Sequence, residues 1–114
     1  MLNVNLEDLK QLRTIFTAKQ FVVGGSLALK WIGFETCPKD VDIFLTGATE
    51  DTVKKLKEFE ESFPVTNKSS YKKDNHYQFM YNGVKYDFFV INLDFDEKLT
   101  YNGFIINKVN KIIE

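Results

Sequence analysis

Apolar residues recur along this chain at two spacings, and the switches between them mark out the elements. Leu6, Leu9, Leu12, Ile15 and Phe16 lie three or four positions apart. That is the spacing of one helix face and predicts a first helix over 6–18. Asn5 in front of it and Asp8 three positions later read as a cap with an acidic first turn. The unbroken run Phe21-Val22-Val23 predicts a short buried strand over 20–23. Helical spacing returns over 26–32 and stops at Gly33. A loop containing Pro38 follows, then an alternating strand over 41–45. Thr49 opens a longer helix with Glu50 and Asp51 in its first turn. Val53, Leu56, Phe59 and Phe63 carry its apolar face, and Pro64 ends it.

The second half is written in strands. Residues 66–75 are polar and read as a loop or a frayed edge strand. Two β-rich runs, His76–Tyr81 and Val84–Ile91, flank Asn82-Gly83, the strongest short hairpin signal. A last short strand is predicted over 103–106, with a helix starting near Lys108. The order α-β-α-β-α-β-β with a small tail predicts an α/β (α+β) fold, a mixed sheet with helices packed on one face. No repeat, linker or low-complexity segment interrupts it, so residues 1–114 read as one domain.

Composition narrows the classes. A hydrophobic share of 44% with 11 Phe supplies a core and argues against disorder. The formal net charge of −1 lacks the footprint of a protein that coats nucleic acid. Arg13 is the only arginine, which leaves little capacity for bidentate phosphate or guanine contacts. The best local basic patch is the run from Lys68 to Lys73. A lone Cys37 and a lone His76 allow neither an internal disulfide nor a zinc set. Glu7 and Asp8 speak against a signal peptide, and no apolar run approaches ~18 residues. These features predict a soluble, cytoplasmic protein with no membrane partner. The richness in Lys, Asn and Ile fits an AT-rich coding genome and a viral or mobile-element origin.

The candidate chemistry sits between the first two strands. Gly24-Gly25-Ser26 breaks a strand and enters a helix; Asp40 and Asp42 head the next strand at i and i+2. Glycines let a phosphate approach the backbone, and a helix start offers free N–H donors. Strand alternation puts Asp40 and Asp42 on one face, where their charges repel unless a cation or proton sits between them. Mg²⁺ (or Mn²⁺) prefers one or two such carboxylates together with phosphate oxygens. A third acid, Asp87, lies in the apolar run Val84–Ile91, and a buried aspartate there needs a partner: Lys85, a donor on another strand, or a shared metal.

Gly24-Gly25-Ser26, then Asp40-Val41-Asp42-Ile43, then Tyr86-Asp87-Phe88 resembles the signature of the nucleotidyltransferase superfamily typified by DNA polymerase beta. The stretch Val22 to Leu29 is most similar to the small stand-alone branch that includes abortive-infection toxin-type members. The resemblance covers roughly residues 20–92. It implies a metal-dependent transfer of a nucleoside monophosphate from an NTP to an acceptor hydroxyl on RNA (tRNA or another), a protein or a small molecule. Asp40, Asp42 and Asp87 would then be the catalytic, metal-holding residues. Gly24, Gly25, Ser26 and Lys39 would bind the nucleotide, and Mg²⁺ or Mn²⁺ would be the cofactor, making the chain an ATP- or NTP-binding transferase. Thr36 and Pro38 stand where that branch often has Arg and Thr. The helical region that usually grips base or acceptor is almost missing before Glu114, so a partner protein is expected to supply that surface.

Plainer readings stand beside these. The glycines also suit a ligand-free turn, the aspartate pair a solvated strand edge, and Asp87 a salt bridge to lysine. Lys39 and Lys85 suit either phosphate or a carboxylate. His76 reads as a surface imidazole, Trp31 as core, Tyr71, Tyr77 and Tyr81 as strand-face residues, and Cys37 as an incidental thiol. The rival functions are an inactive nucleotide-binding module and a protein-interaction module, antitoxin-like or a virus-encoded accessory subunit.

Overall fold

A computed structural model describes residues 6–16, 20–33, 35, 40–46, 49–71, 75–91, 99–101 and 103–106. Among the described residues three helices and seven strands follow in the order α1 (Leu6–Arg13), β1 (Phe21–Gly24), α2 (Gly25–Trp31), β2 (Val41–Thr46), α3 (Thr49–Ser62), β3 (Thr66–Tyr71), β4 (His76–Tyr81), β5 (Val84–Ile91), β6 (Leu99–Tyr101) and β7 (Phe104–Ile106). The strands form one sheet, ordered β3-β4-β5-β2-β1-β7-β6. It is mixed. β2 runs parallel to β5 and β1 parallel to β7, while the other neighbours are antiparallel.

Alternation along each strand divides the residues between two faces. One face carries Phe21 and Val23 of β1, Val41, Ile43 and Leu45 of β2, Phe79 and Tyr81 of β4, Tyr86 and Phe88 of β5, and Phe104 and Ile106 of β7. All are buried. The helices add Leu9 and Leu12 from α1, Leu27 and Ala28 from α2, and Leu56 and Phe59 from α3 to the same cluster. Helical cover on a single face is therefore what the hydrophobic pattern dictates. Phe59 stacks on Phe63 and packs against Phe79, with centroids at 4.4 and 5.2 Å.

The hairpin forms at Asn82-Gly83, with φ of 50° and 77° at the two turn residues. Positive φ at both positions is what a two-residue turn matched to strand twist requires. The polar segment after Pro64 is an edge strand, β3, with an irregularity between Thr66 and Ser69. An irregular polar edge discourages strand addition from other chains.

One helix end and one strand depart most from the sequence reading. The first helix ends at Arg13 rather than running on to Ala18. The Thr14 hydroxyl bonds the Gln11 carbonyl at 2.5 Å, competing with the helical ladder, and the chain turns to bury Phe16. β6 had no counterpart in the pattern. The cap at Asn5, the end of the expected first helix and the helix near Lys108 lie outside the described residues.

The sole arginine is structural. Arg13 donates to the Gly103 carbonyl at 2.6 Å and lies 4.3 Å over the Phe104 ring, tying α1 to the last hairpin.

Candidate active site

Four adjacent strands carry the site in a single row. Gly24 of β1 is the register partner of Asp42 on β2, Asp42 of Asp87 on β5, and Asp87 of Gln78 on β4. Their strand neighbours Val23, Val41, Ile43, Phe79, Tyr86 and Phe88 point into the core. The row therefore occupies the sheet face opposite the described helices. The parallel pairing of β2 with β5 is what brings Asp42 and Asp87 side by side. Asp40 sits just before β2, half-exposed, with the Lys85 ammonium 3.9 Å from its Oδ2.

The glycine turn closes on this row. Gly25 has a φ of 62°, a left-handed conformation that favours glycine, and a Cβ there would strike Asp42 Oδ2. A Cβ on Gly24 would strike the Phe44 ring. Both glycines thus have a steric reason in the packing of β1 on β2, whatever else approaches them. Gly24 starts α2 in extended conformation with no side-chain cap bond. Ser26 is exposed in the first turn.

Electrostatics single out Asp42. Its pKa is pushed up from 3.8 to about 6, first by burial, then by the charges of Asp87 and Asp40; His76 and Lys85 pull the other way. The charges of Asp87 on β5 and Asp40 before β2 are thus both felt at Asp42. Asp87 is nearly buried, and its Oδ1 accepts hydrogen bonds from Gln78 Nε2 at 2.5 Å and from His76 Nε2 at 2.8 Å. The His76 ring stacks on Phe89, centroids 4.3 Å apart and planes within 13°, and Phe89 stacks on Phe44 at 5.3 Å.

His76 is therefore not the surface imidazole that the sequence suggested. Its side chain is only 19% exposed and it is tied to a proposed functional acid. Gln78 was not singled out at all. The signal was present: a two-residue turn at Asn82-Gly83 pairs Tyr81 with Val84, hence Gln78 with Asp87 and His76 with Phe89.

Of the residues expected in the site, the structure gathers Asp42, Asp87, Gly24 and Gly25, with Ser26 and Asp40 at the margins. Lys39 lies outside the described residues, as do Thr36, Cys37 and Pro38. Asp87 has donors on β4 as its partners, rather than a lysine. The donor set suits a hard divalent cation: oxygen ligands only, and a carboxyl in Asp42 whose charge is opposed by two others. Among the described residues, however, no group of three or more His, Cys, Asp or Glu side chains is arranged to hold a metal ion. None of the described helices is long and apolar enough to cross a membrane. A cavity of about 400 Å³ between α3 and β3–β4, walled by Val53, Leu56, Lys57, Lys68 and Tyr77, lies on the helical side of the sheet, away from the carboxylates.

No protein-family model and no curated protein sequence matches the chain. Solved structures do match its fold. A tRNA-processing enzyme in an apo form superimposes with a TM-score of 0.52 at 18% identity, covering 78% of this chain and 24% of its own. A CCA-adding enzyme in complex with CTP gives 0.52 at 17% identity, covering 76% and 21%; one in complex with ATP gives 0.51 at 20%, covering 79% and 22%. The chain thus shares the mixed-sheet fold found in these enzymes. The chain spans less than a quarter of the length of these structures.

Proposed function

We propose that this chain is a metal-dependent nucleotidyltransferase that moves a nucleoside monophosphate from an NTP to an acceptor hydroxyl and releases pyrophosphate. The observation that carries this reading is the row Gly24–Asp42–Asp87 across three strands of the open face. It puts two acids beside a glycine turn, with Asp40 one step away. The structures of CCA-adding enzyme with CTP and with ATP support an NTP as the donor.

Asp40 and Asp42 would hold Mg²⁺ (or Mn²⁺), with Asp87 completing a second position. Bound there, the divalent ions would offset the triphosphate charge and stabilise the attacking and leaving oxygens. Gly24, Gly25 and Ser26 hold the β- and γ-phosphates through backbone N–H groups and a hydroxyl, and Lys39 is proposed from the sequence as a further phosphate contact. Asp87 lies on the acceptor side and takes the acceptor's proton. Asp87 is buried and Asp42 partly so, which strengthens their contacts relative to water. The acceptor is a hydroxyl of RNA, with tRNA the first to try.

One observation favours a second reading. Both donors on Asp87 Oδ1 come from the chain itself, and the three acids do not form a closed ligand group. That suits a nucleotide-binding module without transfer activity. A single experiment divides the two. Wild type with Mg²⁺ and α-labelled NTP should pass label to RNA, and Asp42→Asn and Asp87→Asn should each lower the rate at least about 100-fold. Thermal stabilisation by Mg²⁺-NTP, about 2.7 kcal/mol at one hundred times Kd, without any label transfer to RNA or protein supports the inactive module instead.

A further inference from the structure

Asp87 is held by more than its backbone. Oδ1 takes two donors, Gln78 Nε2 from directly across the β4–β5 ladder and His76 Nε2 from the diagonal position two residues away. The His76 ring has one face flat against Phe89, which is itself stacked on Phe44. The imidazole is therefore clamped before it reaches Asp87. A carboxylate fixed at one oxygen by two donors on a rigid strand has lost its freedom to rotate about its last bond. Its other oxygen, Oδ2, then keeps a set direction on the open face beside Asp42, its register partner.

We infer that His76 and Gln78 are positioning residues: together they lock Asp87 so that one oxygen is spent on the protein and the other is presented to a divalent cation and the acceptor. This rests on the nucleotidyltransferase reading above. It explains why the chain's one imidazole is largely shielded beside an acid on this face. It also explains the stacked Phe44 and Phe89, which would otherwise be two large apolar side chains on the uncovered side of the sheet. An anion anchored in this way pays little ordering entropy on meeting a cation, and outer partners of metal-holding groups commonly contribute about 10–100-fold in metal affinity.

The test uses the whole chain with Mn²⁺ as the probe, read by calorimetry and by NMR of the Asp87 side chain in metal-free protein. His76→Ala and Gln78→Met should each weaken Mn²⁺ binding about tenfold or more and give Asp87 averaged side-chain couplings in place of one rotamer. His76→Gln, which can keep a donor near the Nε2 position, should recover most of the affinity. In the labelled-NTP reaction the loss should fall on kcat more than on the KM for NTP, because the nucleotide's phosphates are held on the β1 side. Circular dichroism and melting confirm that each variant is folded, and Phe89→Leu, which loosens the ring without touching the bond, gives an intermediate loss. Wild type that binds Mn²⁺ while His76→Ala and Gln78→Met bind as tightly, with Asp87 still in one rotamer, overturns this inference alone. Wild type that takes no Mn²⁺ overturns the nucleotidyltransferase reading and this inference with it.

Discussion

The two faces of the sheet are built from the same strands to opposite ends. On β5, Tyr86 and Phe88 vanish into the helical core, while Asp87 and Phe89 between and beside them belong to the open face. On β2, Ile43 and Leu45 are fully buried; Asp42 and Phe44 alternate with them and are not. The covered face is mainly hydrocarbon and aromatic ring, so its cohesion comes from burial and close packing. The open face holds acids that raise one another's energy and aromatic rings that brace a histidine. Stability is concentrated on one side and chemical potential on the other, and a residue's value follows from which side its parity assigns it to.

The sharpest way to break that contrast is to truncate neighbours. Phe88→Ala should cost about 3–5 kcal/mol, the usual penalty for an emptied aromatic site in a packed core. Phe89→Ala, one residue along, should cost less than half as much. Urea denaturation of the two variants measures the difference; equal losses would mean that the open face is packed as a second core.

A smaller effect has the opposite sign. Asp42 is bound more tightly to its proton in the folded chain (pKa about 6) than in the unfolded chain (near 3.8). Below about pH 4 both states are protonated and nothing is lost. As pH rises from 4 to 6 the unfolded state ionises first, so the metal-free native state loses stability, and the penalty is complete above 6. Asp42→Asn should therefore stabilise the metal-free protein at pH 8, on the order of 1 kcal/mol once solvent screening of a half-buried group is allowed for. That is a Tm rise of about 4–8 °C in a domain of this size. At pH 3.5 the variant should melt with wild type. Activity and stability thus move in opposite directions at one position, which no core residue should do.

The smallest effect lies within the core itself. Tyr86 has a buried hydroxyl with no hydrogen-bond partner among the described residues, and burial pushes its pKa upward, with Asp8 and Tyr81 adding to the rise. Tyr86→Phe removes an unpaired polar group without changing the ring. It should leave stability unchanged or raise it by up to about 1 kcal/mol in the same denaturation assay.

Much of this division could be read from the sequence, and the limits of that reading have physical causes. Alternation alone placed Asp40 with Asp42 on one face. The local hairpin at Asn82-Gly83 was legible because a two-residue turn sets its own register. The pairing of β2 with β5 was not, since 44 residues lie between Asp42 and Asp87 and no local rule chooses a parallel register. β6 escaped notice because three residues are too few to show a period. The first helix was overextended because Ile15 and Phe16 keep helical spacing while Thr14 diverts the backbone. His76 was misjudged because it was weighed as a single residue, although the hairpin register already set it diagonal to Asp87.

The most direct test of the central claim is an anomalous difference map from crystals grown with Mn²⁺ and a non-hydrolysable NTP. The account predicts manganese between the carboxylates of Asp42 and Asp87, with the triphosphate running toward Gly24 and Gly25. Manganese or nucleotide on the helical side of the sheet, or an open face left empty at saturating concentrations of both, would contradict it.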